Sequence, residues 1–184
     1  MEQEFNTKEM IQEAIKKGSI LGVIHIVVFM LLYLLAPSKL TGFSYVAAIL
    51  VINIGYCIYE GIRFRNEIGG FMTYGKAFQY SFIILAANGL VGVVFMALFI
   101  LIDPSFPEMM AQNQLDTSVY WAQRFGAPAE SLDQLEDNFN KEDILANYSA
   151  FGFVKGYGIG LIFYALGGLI VAIFSKKSEP EPTF

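Results

Sequence analysis

The stretch YSFIILAANGLVGVVFMALFILI, residues 80–102, decides the fold. It runs for 23 residues without a charged side chain, and a bilayer core of about 30 Å needs about 20 helical residues to cross. Its glycines and β-branched residues would weaken a helix in water, whereas in hydrocarbon the backbone must bond to itself and a helix is the expected state. Three more runs read the same way: residues 18–36, 43–59 and 151–174, of 19, 17 and 24 residues. All lie within the working range of about 17 to 25 residues. The expected fold is therefore all-α, a four-helix membrane domain over residues 18–174 with an outward-facing acidic helical hairpin, residues 103–150, between the third and fourth spans.

Composition agrees. Of 184 residues, 55% are hydrophobic and 16% charged, against a usual charged share of about 25%. This excludes a disordered chain, a disulfide scaffold and a typical soluble enzyme. The single cysteine, Cys57, allows neither a disulfide framework nor a cysteine metal site within one chain, and reads as a small buried side chain. The net charge of −5 is unevenly spread: residues 103–150 hold nine acids against two bases, Arg124 and Lys141. Eight bases (Lys8, Lys16, Lys17, Arg63, Arg65, Lys76, Lys176, Lys177) fall on one side of the map, and Lys39, Arg124 and Lys141 on the other, with Lys155 near the start of the last span. The positive-inside rule then puts both termini on the cytoplasmic side and the acidic segment on the other. The first run is too long for a cleaved signal peptide, and no small-residue cleavage pattern follows it, so it is read as a retained span.

Outside the spans, residues 1–17 read as an interfacial amphipathic helix, with Asn6 and Glu9 at capping-box spacing and Ile11, Ala14 and Ile15 on one stripe. Residues 175–184 read as a disordered cytoplasmic tail. In the acidic segment, Ser105 with Glu108 and Ser131 with Gln134 match capping boxes, Gly126 and Pro128 punctuate the middle, and two or three short helices are expected. Tyr120 and Trp121 fit an interfacial anchor or packing within the hairpin equally well. The Asn147-Tyr148-Ser149 match to a glycosylation acceptor carries no weight, because the motif is common by chance.

Chemistry-bearing residues are few. His25, Asn53 and Asn88 are the deepest polar side chains of the first three spans. At about 1.5 Å per residue they lie about 9 to 12 Å from the inner ends of those spans, a common level at which they could meet. Gly167 and Gly168 fall near that level and would leave room. Hydrogen bonding between helices, worth about 0.6 kcal/mol per bond, is the preferred reading; a proton or substrate site is the other. Gly18 and Gly22, and Gly152, Gly156 and Gly160, form G-x-x-x-G series that mark helix-packing faces, with packing inside the monomer favoured. On that reading Gly156→Leu should disrupt the bundle more than Leu161→Ala. The connection 60–78 carries Arg63, Arg65 and Lys76, which fit lipid head-group contacts or, preferably, a positive-inside anchor around a Gly69-Gly70 turn. Glu60 at its edge reads as a lone solvated carboxylate. With no H-E-x-x-H, no G-x-S-x-G and no carboxylate pair within a span, no enzymatic activity, catalytic residue, metal or cofactor is expected.

The glycine pair followed by Phe71, the sequence Thr73-Tyr74-Gly75-Lys76-Ala77-Phe78 entering the third span, and Asp103-Pro104 after it together resemble a family of small inner-membrane proteins of Bacteroidetes, known only as a domain of unknown function. The resemblance implies a four-helix plan and an inner-membrane location, and no activity. Similar proteins are often encoded near a polyprenyl-phosphate glycosyltransferase, which the resemblance offers as a partner beside the lipid bilayer itself. Two functional classes follow: a non-catalytic scaffold or accessory subunit, and a small transporter or channel built on the polar layer. The first is preferred, because no internal repeat and no proline-broken span is evident. Cysteines introduced at Ala127 and at Ser178 should be labelled from opposite sides of the membrane; labelling of both from one side would overturn the topology.

Overall fold

A computed structural model describes residues 7–179. Helix α1 covers Thr7–Leu35, and a short 3-10 turn at Pro37–Thr41 leads into α2, Phe43–Glu67. Helix α3 covers Tyr74–Ile102, three shorter helices follow (α4 Phe106–Arg124, α5 Ala129–Asp137, α6 Lys141–Ala146), and α7, Ala150–Ser175, ends the described bundle. Helices α1, α2, α3 and α7 are long and apolar enough to cross a membrane. Fewer than a quarter of the residues in the most apolar stretch of each are buried, so most of their surface is left to lipid.

Three boundaries differ from expectation. The separate interfacial helix over residues 1–17 is corrected: from Thr7 onward it is one rod with the first span, because Met10 and Ala14 bury in the same core cluster as Phe64 and Ala77. Phe5, Asn6 and the rest of residues 1–6 lie outside the described residues. The inner connection contracts to residues 68–73, since α2 continues to Glu67 and α3 begins at Tyr74. Gly69 and Gly70 turn it at φ of 102° and 88°, a region glycine enters without a Cβ penalty. The tail does not begin at residue 175: Met72 and Lys177 exchange backbone hydrogen bonds of 2.9 Å in both directions. Residues 180–184 of that tail lie outside the described residues.

Helix α3 is the hub, packed on one flank by α1 and on the other by α7, with α2 leaning on both α7 and α3. Two glycines set the first contact. A Cβ at Gly18 would collide with the Ile84 carbonyl and stand 2.7 Å from Ala87 Cβ; one at Gly22 would stand 2.7 Å from Val91 Cβ. On the other flank a Cβ at Gly168 would stand 3.4 Å from the Phe82 amide nitrogen. The remaining glycines of α7 require a correction. Gly152 abuts the carbonyls of Ala146 and Asn147 in the turn before its own helix, Gly156 has nothing within 4 Å of where its Cβ would stand, and the atoms nearest a Cβ at Gly160 are those of Tyr164 of α7 itself, from 3.3 Å. Gly156 is therefore not at a packing contact inside this chain.

The end of the bundle where α1 begins is fastened by charge. Lys17 Nζ lies 3.1 Å from Glu60 Oε2, with side chains only 11% and 6% exposed, and Glu13 approaches the same ammonium at 3.5 Å. Tyr56 donates its hydroxyl to the Lys17 carbonyl at 3.2 Å. Glu60 is thus buried and paired, not solvated, because α2 continues inward past Tyr59 and turns this carboxylate toward α1.

The opposite end is fastened by aromatic rings. Phe29 meets Phe95, Phe99 and Phe106 edge-on at centroid distances of 5.6, 5.4 and 5.5 Å, an arrangement that places ring edges against ring faces. Tyr33 donates to Asp103 Oδ2 at 2.7 Å. Ser105 donates its hydroxyl and its amide to Asp103 Oδ1. The Ser105 hydroxyl first, then the Tyr33 hydroxyl, hold the Asp103 carboxyl below its ordinary range. Neither expected capping box forms: Ser105 is engaged with Asp103, and α5 starts at Ala129, ahead of Ser131. Asn140 and Ser149 cap instead, accepting from the amides of Asp143 and Gly152. Trp121 stacks on Phe125 at 5.7 Å and meets Tyr120 edge-on, while all three stay exposed.

Removing one member of a buried ion pair strands the other, at a cost of about 3–5 kcal/mol, whereas replacing both by apolar groups is often neutral. Glu60→Ala should lower stability by about that amount in detergent unfolding, and Lys17→Met combined with Glu60→Leu should lie near the parent chain. A double variant as unstable as the single one would contradict the pairing.

Candidate functional site

Asn88 sits halfway along α3, fourteen residues from either end, or about 21 Å at 1.5 Å per residue. The close approach of α1 at Gly22, where a Cβ would stand 3.4 Å from the Asn88 carbonyl oxygen, brings the next turn of α1 and its His25 alongside. His25 Nδ1 lies 3.1 Å from Asn88 Oδ1, and Asn88 Nδ2 donates to Asn53 Oδ1 of α2 at 3.2 Å. The three side chains singled out by depth are brought into one hydrogen-bonded chain across three helices. Asn88, its centre, is buried, and the outer two are half-buried.

These groups line a groove of about 470 Å³ to which α1, α2, α3 and α7 all contribute, with Phe29, Phe95 and Met96 among its apolar walls. Room is left at Gly92 of α3, which has nothing within 4 Å of its Cβ position, and not at Gly167 and Gly168, which face Leu85 and Phe78. Tyr164 of α7 lies over Gly89, where any Cβ would run into its ring and hydroxyl. Sequence reasoning missed Gly89, Gly92 and Tyr164. The glycines lack G-x-x-x-G spacing, and Tyr164 becomes a neighbour only when α7 packs on α3.

The basic residues of the inner connection divide. Arg63 pairs with Glu67 at 3.1 Å on one face of α2. Arg65 donates to the carbonyls of Ser175 and Lys176 at 3.1 and 3.4 Å, satisfying acceptors left free where α7 ends. Lys76 instead shares a recess of about 460 Å³ with Lys176, Lys177 and Glu179. The expected trio of Arg63, Arg65 and Lys76 does not gather in one place. Among the described residues no three His, Cys, Asp or Glu side chains converge as metal ligands would.

A family model described as protein of unknown function (DUF4199) matches residues 16–177. The chain belongs to this family. The match takes in α1 from residue 16 onward and every later helix, so the polar chain, the groove and the Lys17–Glu60 pair lie inside the family's domain. No curated protein and no solved structure is significantly similar to the chain.

Asn88 makes both bonds of the polar chain, and the flanking residues make one each. Asn88→Leu should cost about twice the ~0.6 kcal/mol of an average interhelical bond, Asn53→Leu about once that, and His25→Gln nearly nothing. Equal losses for the three in detergent unfolding would show that the bonds do not form in lipid.

Proposed function

We propose that this member of the family is a non-catalytic scaffold or accessory subunit of a bacterial inner membrane, with both termini cytoplasmic, that holds another transmembrane helix against the outer half of α7. One observation carries the reading: Gly156 has open space where its Cβ would stand, and one turn later the atoms nearest a Cβ at Gly160 belong to Tyr164 of the same helix. Glycine weakens a helix by about 1 kcal/mol relative to alanine, and in lipid small residues bring helices together by letting backbones approach. Gly18, Gly22, Gly89 and Gly168 are each used this way inside the chain. Gly156 is left for a helix from elsewhere, flanked by Val154 and Phe163 at 72% and 66% exposure. The orientation rests on the bases clustered at the end where α1 starts and α7 finishes.

A second reading, a small transporter or channel, is favoured by the groove that reaches His25 between the spans. The two part at His25→Gln, which leaves a scaffold intact and stops a proton-coupled transporter, since glutamine takes up no proton near neutral pH.

For the scaffold, Gly156→Leu should abolish self-association or the capture of a membrane partner in mild detergent while unfolding at the parent's midpoint. Unchanged association, or a collapse of the fold itself, would refute the reading.

A further inference from the structure

Several basic residues at the end where α1 begins and α7 finishes are already engaged. Lys16 and Lys17 pair with Glu13 and Glu60, Arg63 pairs with Glu67, and Arg65 donates to carbonyls at the end of α7. Lys76, Lys176 and Lys177 differ: none has an ion-pair partner among the described residues. They come from distant parts of the sequence, yet they line one recess of about 460 Å³. Glu179 is the only carboxylate in that lining, so the recess stays basic.

The gathering is built into the backbone. Gly69 and Gly70 turn the connection that leads into α3, and the paired 2.9 Å bonds between Met72 and Lys177 pin the start of the tail onto it. Lys177 Nζ then lies 5.3 Å from the centre of the Phe71 ring, and Lys176 Nζ 5.9 Å from that of Tyr74. A ring face attracts an ammonium without neutralising it, so both charges are positioned and still free to meet an anion. Thr73 and Ser178 add hydroxyls to the lining, and the first turn of α3 adds the partial positive charge of a helix N-terminus. Keeping basic residues on one side of a membrane requires their number and not their convergence.

The surface beside the recess indicates where the anion comes from. In the last turn of α7, just ahead of the two lysines, Ile173 and Phe174 are each 57% exposed, on a helix apolar enough to cross a bilayer. Tyr74 donates its hydroxyl to the Leu169 carbonyl at 3.1 Å, so the recess wall continues onto that apolar surface. An anion carrying acyl chains would use both parts, with its charge among the lysines and its chains along α7. Basic pockets between membrane helices hold phosphate head groups in this way.

We propose that the recess between the 68–73 connection and the end of α7 binds the phosphate of an anionic membrane lipid, with Lys76, Lys176 and Lys177 as its counter-charges. The site is independent of the α7 face assigned to a partner helix, because Gly156 does not line it.

The full-length protein, stripped of lipid in a neutral detergent, can be titrated with dioleoylphosphatidylglycerol and its bound lipids counted by native mass spectrometry. One lipid should bind more tightly than those that follow. Dioleoylphosphatidylcholine, with the same chains and no net charge, should show no such first site. Lys177→Gln keeps the backbone bonds to Met72 and should weaken the first site about fivefold, and adding Lys76→Gln should weaken it about as much again. Lys16→Gln removes the same charge from the same end of the bundle but outside the recess, and should leave the first site at parent strength. Inorganic phosphate in large excess should not displace the lipid; displacement would make the free ion the ligand and overturn the proposal. Equal losses for Lys177→Gln and Lys16→Gln, or a first phosphatidylglycerol bound no more tightly than later ones, would overturn it as well.

Discussion

Lipid supplies no hydrophobic force to hold one apolar helix against another, so the bundle depends on how closely its backbones approach. Helix α1 comes close to α3 at Gly18 and Gly22, where the absent side chains let Ile84, Ala87 and Val91 in. Everything above and below that seam inherits its geometry. One turn beyond Gly22 it puts His25 in reach of Asn88. Toward the inner end it lets Lys17, next to Gly18, reach Glu60 on α2, and toward the outer end it aligns Phe29 and Tyr33 with Phe95 and Phe99.

The two ends solve different problems. At the end where α1 begins the bundle has charged residues to accommodate, and a buried ion pair ties α1 to α2, while Arg65 closes the end of α7. At the other end three short helices must be held to the bundle, and α5 and α6 bury no residue. Helix α4 does the holding. Phe106 is inserted among the rings of α1 and α3, and Asn113 and Thr117 reach the 3-10 turn through Pro37 and Thr41. Between these fastened ends the groove opens beside the polar chain.

The four spans were legible because hydrophobic length is a property of the sequence alone. The meeting of His25, Asn53 and Asn88 was legible from depth, since three polar groups at one level on adjacent helices have few other partners. Partner identity was not. Nothing local says that Glu60 faces Lys17 across two helices, so it read as solvated, and nothing in the spacing of Gly152, Gly156 and Gly160 says that the middle one has open space beside it. Ser105 and Ser131 failed as caps for a related reason: Asp103 two residues upstream takes the Ser105 hydroxyl, and Pro128 lets α5 start before Ser131 is reached. The aromatic seal went unread, because Phe29 and Tyr33 on α1 and Phe95 and Phe99 on α3 are unremarkable in an apolar run until the helices pack. Its closure by Phe106 depends on a turn at Asp103 that only the fold reveals.

If close approach at the α1–α3 seam governs the bundle, filling it must cost far more than filling an open glycine in a neighbouring span. Gly55 of α2 provides the comparison, with nothing within 4 Å of its Cβ position. The decisive measurement is the unfolding midpoint of Gly22→Leu against Gly55→Leu in the same detergent titration, read together with the histidine nitrogen spectrum. The account predicts a large loss of stability and disruption of the His25–Asn88 hydrogen bond for Gly22→Leu, and a parent-like midpoint and spectrum for Gly55→Leu. Equal midpoints with the His25 signal unchanged in both would contradict it.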